Sequence, residues 1–275
     1  MKLDRLHEAA LHQLTGCRYA VIHALHVALC ESIPKTARGR PIKRTLWAQL
    51  VLTLIKLRLD LPYRTIEVMF RLDAVTAYRD VRRIVRMLSA LALKAPKGSA
   101  LSGFLIVDST GTRVRSTDLK DHSGHKHHKR RKCQAIVTES VEIVSVSKAF
   151  AGSVHDKRIW NDAYGATKAA LKQVVLADKA YVGARGEGEI LLRPHRRSDA
   201  AYKTDKDSAK AFNRALSKGR ELAGERRHHS VKVEHVFAQM KHFRVLSNLF
   251  PFHPDRYGEV FRAVAVIHNF KLQFK

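Results

Sequence analysis

The sequence predicts an α/β protein, a β-sheet covered by helices, behind an all-helical N-terminal region. Three observations predict it. Apolar residues recur at three- and four-residue spacing through most of the chain as far as Leu88. Two continuous apolar runs, "FLIV" before Asp108 and "VVLA" before Asp178, read as strands buried on both faces. Between them "VEIVSVSKAF" alternates as a half-buried strand does, and helical patterns close the chain.

Residues 1–34 contain two helical stretches, "LHEAALHQL" and "YAVIHALHVALCESI", the second ended by Pro34. The segment 35–44 is basic, holds Gly39 and Pro41, and reads as a linker or an arm facing a polyanion. "TLWAQLVLTLIKLRLDL" resumes the helical pattern up to Pro62. A short helix from Tyr63 to about Phe70, a turn near residues 72–74 and a second helix from Val75 to Leu88 form a helix-turn-helix pattern. Its second helix has an expected apolar stripe of Val75, Val81, Ile84, Val85 and Leu88. It presents Arg79, Arg82, Arg83 and Arg86 as candidate phosphate contacts.

Pro and Gly in residues 94–103 set the expected boundary between a helical DNA-binding region, 1–95, and a catalytic domain, 100–275. The second part reads as strands "GFLIVDST", "TRVRS", "CQAIVTE" and "VEIVSVSKAF", then a helix from about residue 157 to 171. The strands "QVVLAD" and "EILLRP" and three helical stretches follow from residue 207 on.

Charge is the decisive bulk property. Lys and Arg number 51 against 25 Asp and Glu, a formal net charge of +26. Such an excess opposes compactness unless a polyanion is bound, and nucleic acid is the usual one. No uncharged apolar stretch of about 18 residues is present, which argues against a membrane span. The three scattered cysteines, Cys17, Cys30 and Cys133, form no disulfide framework and fit a reducing cytoplasm.

Three acidic residues stand where apolar sequence gives way to polar: Asp108, Asp178 and Glu234. A carboxylate at the end of a buried strand is costly unless it is paired or binds metal. Glu234 borders the helical stripe Val233, Val236, Phe237 and Met240, and Lys241 follows about two turns later on nearly the same face. Magnesium takes such oxygen ligands, and manganese is the alternative. Two ions about 3.5–4 Å apart activate the attacking oxygen and stabilise the leaving one. The histidines of "HSGHKHHKRRKC" are interleaved with cations that disfavour zinc. That segment reads as a basic hairpin, with Lys126, Lys129 and Arg130 as candidate phosphate contacts.

In their order, "LIVDSTGTRV", "HSGHKHHKRRKCQAIV", "AGSVHDKRIW", "VVLADKAYVG", "VEHVFAQMKHFRVL" and "AVAVIHNF" make the chain resemble the IS5-type transposases of the DDE superfamily. The resemblance implies an RNase H-like mixed β-sheet flanked by helices, with Asp108, Asp178 and Glu234 as the catalytic, metal-holding carboxylates. It implies a DNA-gripping role for Lys241 and a supporting one for His155 and Asp156. It further implies binding of terminal inverted repeats in double-stranded DNA, cleavage and strand transfer, a homo-oligomer on DNA, and a place on the bacterial nucleoid in the cytoplasm. The alternatives are a DNA-binding or domesticated relative without catalysis, and an RNase H-like endonuclease without strand transfer. The family often has an Arg or Tyr just upstream of the glutamate; here that stretch is "RRHHSVKVE", with Arg227, His228 or His229 as the substitute, and the longer segment 218–229 leaves Glu221 and Glu225 as lower-ranked alternatives to Glu234.

Overall fold

A computed structural model describes residues 3–33, 44–93, 104–124, 126–170, 174–187, 191–192, 199–222 and 229–274. The chain divides into two compact units. One comprises Met1–Pro96, Thr112–Thr117 and Gln239–Lys275, the other Lys97–Gly111 and Asp118–Ala238. The first division falls inside the Pro- and Gly-containing segment 94–103. The chain then re-enters the first unit twice.

The first unit is helical. It contains α1 (Glu8–Thr15), α2 (Tyr19–Glu31), α3 (Leu46–Leu59), α4 (Tyr63–Phe70) and α5 (Ala74–Ala90). The C-terminal helix (Tyr257–Leu272) completes it. Helix α3 is buried on every side, Ala48 through Leu57 without a break and Gln49, Thr53 and Lys56 among them, so it forms the centre of the unit. Thr45 caps its N-terminus by accepting from Ala48 N at 3.1 Å. Buried Lys56 pairs with Asp60 at 2.8 Å and lies over the rings of Tyr63 and Phe252.

Helices α4 and α5 fall where the sequence predicts two helices within residues 63–88. Arg71 bends left-handed at φ 51°, and Asp73 caps α5 by accepting from Thr76 N at 2.9 Å. Ala77, Val81, Ile84, Val85 and Leu88 are buried, whereas Val75, expected in that stripe, is 54% exposed. It sits in the first turn, ahead of the residues that meet the core. The basic segment 35–44 lies outside the described residues except for Arg44, whose Nε donates to Asp80 at 2.6 Å.

The second unit holds a mixed sheet of seven strands. They are β1 (Leu105–Arg113), β2 (His122–Ser123), β3 (His128–Thr138), β4 (Ile143–Val146), β5 (Phe150–Ala151), β6 (Val175–Leu176) and β7 (Leu191–Leu192). Their order is β2-β3-β1-β6-β7, with β4 and β5 also on β3. β6 runs parallel to β1 and to β7, while β2, β4 and β5 are antiparallel to β3. Helix α6 (Asp156–Ala170) packs Trp160 against Leu105, Val107, Ile136 and Val175 of the sheet. Helices α7 (Ala200–Thr204), α8 (Lys206–Leu222) and α9 (His229–Lys241) follow.

The first buried strand is longer than its apolar run. Asp108 lies inside β1, not at its end, and the strand continues to Arg113. Gly111 permits this: a Cβ there would come within 2.6 Å of the Arg131 carbonyl oxygen. The expected separate strand "TRVRS" is the tail of β1, and residues 114–118 have no regular structure. Thr112 is buried and donates to the Leu246 carbonyl at 2.6 Å within the helical unit.

Candidate active site

Asp108 follows Leu105, Ile106 and Val107, which are at most 3% exposed, and is itself half-buried. Burial pushes its carboxyl up from an ordinary 3.8 to about 7, against the pull of the Ser109 N–H, which donates to Asp108 Oδ1 at 2.7 Å. The charges of Asp156, Asp178 and Glu234 push the same way. The three carboxylates named from the sequence, together with Asp156, therefore share one electrostatic environment.

Each acidic residue arrives on a different element. Asp178 stands two residues beyond β6 and caps the short helical turn Lys179–Tyr181, accepting from Ala180 N at 2.7 Å. It is exposed, as is Val174, so the buried part of the "VVLA" run begins at Val175. Glu234 is exposed on α9, while Val233, Val236, Phe237 and Met240 form the buried stripe beside it. The substitute Glu225 lies outside the described residues, and only the backbone of Glu221, within α8, is described.

Asp156 opens α6, where the positive end of the helix dipole favours a carboxylate. Its Oδ1 accepts from Ser109 Oγ at 2.5 Å and from Lys132 Nζ at 2.9 Å. Gln134 Nε2 donates to the Asp156 carbonyl at 3.3 Å and to the Tyr181 hydroxyl at 2.7 Å. His155 caps the same helix: its Nδ1 accepts from Lys157 N at 3.3 Å and its carbonyl from Arg158 N at 2.9 Å. Ser109, Lys132, Gln134 and Tyr181 were not among the residues picked from the sequence. The period of two in β3 puts Lys132 and Gln134 on one face, but in "KRRKC" nothing marks this lysine from its neighbours.

The expected phosphate contacts divide. Arg79 and Arg82 are exposed on α5. Arg83 is half-buried and donates to Gln49 Oε1 on α3 at 3.1 Å, while Arg86 lies 3.6 Å from Glu259. Lys126 is exposed in the hairpin turn and Lys129 half-buried in β3. Arg130 turns inward and its Nη2 donates to the Gly111 carbonyl. Lys241 ends α9, in the helical unit.

Asp108, Asp178 and Glu234 offer only carboxylate oxygens, the donors that magnesium and manganese take. In chemistry the set fits a hard divalent cation. Among the described residues, no three His, Cys, Asp or Glu side chains converge closely enough to hold an ion as they stand.

A mixed sheet whose central strand carries a half-buried aspartate, with further carboxylates around it, defines the class of a carboxylate-site α/β protein. The chain belongs to the DDE superfamily endonuclease family, which matches residues 107–269. The matched segment contains Asp108, Asp156, Asp178 and Glu234. The chain is 26% identical over 242 residues to the putative transposase for insertion sequence element IS112 of Streptomyces albus G, covering 88% of this chain and 86% of that one. It is also 26% identical over 188 residues to the probable transposase for IS702 of Microchaete diplosiphon, 66% of this chain and 61% of that one. No solved structure matches significantly.

Proposed function

We propose that the chain is an insertion-sequence transposase that cuts double-stranded DNA at element ends and joins the ends to a target. The observation that carries this is the half-buried Asp108 on the central strand, within the field of Asp156, Asp178 and Glu234 and inside the segment matched by the endonuclease family. The similarity to two insertion-element transposases and the net charge of +26 support DNA as the substrate.

In this reading the sheet unit is an RNase H-like nuclease core, and Asp108, Asp178 and Glu234 hold Mg²⁺ or Mn²⁺. The cation, when bound, would supply charge neutralisation at the phosphodiester and a more acidic attacking water or hydroxyl. The protein's own part is positioning: a fixed strand for Asp108, a capped turn for Asp178 and a helix for Glu234. The helix pair α4 and α5 acts as the DNA-reading helix-turn-helix, with Arg79 and Arg82 toward the phosphates. Lys126, Lys129 and Lys241 grip the strand near the cut, and His155 and Asp156 support the site. Two copies acting together on DNA would bring two ends to one target on the nucleoid.

One alternative, motivated by the helix pair α4 and α5, is a relative that binds DNA without cutting it. Purified protein, Mg²⁺ and a DNA carrying the element ends decide among the readings. Joined strands support the transposase. Cut but unjoined strands indicate an endonuclease, and a shifted band without cutting indicates a binding protein. Asp108→Asn and Asp178→Asn should each abolish cutting while DNA binding persists. Cutting that survives both substitutions refutes the proposed site.

A further inference from the structure

We infer that Ser109, Asp156 and Lys132 form a positioning triad that fixes the Asp108 carboxylate for cation binding. This rests on the reading of Asp108 as a ligand. Ser109 holds two partners at once. Its backbone N–H donates to Asp108 Oδ1 at 2.7 Å, and its hydroxyl donates to Asp156 Oδ1 at 2.5 Å. The second bond is short, as hydroxyl-to-carboxylate bonds are. Lys132 Nζ reaches the same Asp156 oxygen at 2.9 Å. Three elements, β1, β3 and the start of α6, are thereby tied at one oxygen atom.

The pairing is selective. Four carboxylates influence this region, yet the lysine partners Asp156. Both side chains are largely sheltered, at 17% and 27% exposure. Asp156 is therefore an anion already matched by a cation and a hydroxyl donor, and it anchors the strand without acting as a ligand. Gln134 secures it from the other side, joining its carbonyl to the buried Tyr181 hydroxyl. Partners behind a metal ligand set its orientation, and removing one typically weakens metal binding about 10–100-fold.

The test titrates the full-length protein with Mn²⁺, reading free ion by electron paramagnetic resonance, with thermal melting in parallel. Ser109→Ala and Asp156→Ala should each weaken Mn²⁺ binding about 10–100-fold at a temperature where the melting curve shows the variant still folded. Ser109→Thr keeps the hydroxyl and should bind as the unchanged protein does. Should either alanine variant fail to fold, Lys132→Met tests the third corner, with the same loss expected. Asp108→Asn should abolish Mn²⁺ binding. Unchanged affinity in the Ser109, Asp156 and Lys132 variants, with binding lost in Asp108→Asn, overturns the triad and leaves the ligand reading standing. Mn²⁺ binding that survives Asp108→Asn overturns the ligand reading, and the triad with it.

Discussion

Asp108→Asn should stabilise the metal-free protein at pH 8. In the folded chain the carboxyl titrates near 7, against 3.8 when unperturbed, so ionising it opposes folding. A raised carboxyl pKa contributes stability below its unfolded value, and that contribution is lost as pH rises through the folded value. The interval corresponds to about 4 kcal/mol at 1.36 kcal/mol per pH unit, and partial solvent access trims it to about 2–4 kcal/mol. Asparagine has the shape of the neutral acid and escapes this cost. Melting curves in chelator should therefore place the variant above the unchanged protein by roughly 5 °C or more at pH 8, with the gap narrowing toward pH 5. Mg²⁺ added at pH 8 should raise the unchanged protein and not the variant, because a ligand stabilises only the state that binds it. A gap that stays flat between pH 5 and pH 8 would refute the burial argument. Mg²⁺ raising both proteins equally would refute the ligand argument.

Two further predictions concern the helical unit. Arg82→Ala should lower the salt dependence of DNA binding by about one unit of slope, as should Arg79→Ala. Arg83→Ala should leave the slope unchanged and cost about 1 kcal/mol of stability through the lost bond to Gln49. Fluorescence anisotropy across a salt series, with urea unfolding, separates the two effects, and equal slopes in all three variants would contradict the exposure pattern. Lys56→Met should cost about 3–5 kcal/mol in urea unfolding, since it strands the Asp60 carboxylate at 13% exposure. Adding Asp60→Asn should recover most of that loss, and a double variant no better than the single would show that packing of the lysine stem dominates.

The helices were legible because their apolar positions repeat over several turns. Tyr63–Phe70 and the buried stripe of α9 follow the periodicity directly. The setting of Asp108 was legible because an acidic residue abutting "FLIV" costs energy unless its environment offsets it; the same argument does not carry to Asp178, which the structure leaves exposed. The length of β1 was not legible. "DSTGT" has the composition of a turn, and its extended form goes with pairing to β3, the close approach of β3 at Gly111 and the bond from Thr112 to Leu246. Val75 carries the right chemistry for the core, but its place at the start of α5 leaves it in solvent. The roles of Lys132 and Ser109 arise from distances across three elements, which no local pattern encodes. The same holds for Arg83 and Arg130, whose neighbours within each unit turn them from surface charges into internal donors.

That Asp108 lies within β1 sets a hierarchy of motion. An amide inside a hydrogen-bonded strand with neighbours on both sides exchanges with solvent only when the sheet itself opens. Asp178 follows a strand of two residues and Glu234 rides on a separate helix, so each can shift without disturbing the sheet. In the proposed ligand set, Asp108 would be the fixed point of reference and the other two carboxylates the ones that adjust on ligand binding. Deuterium uptake would record this as slow exchange through 105–113 and a bound-state slowing concentrated near 178 and 234.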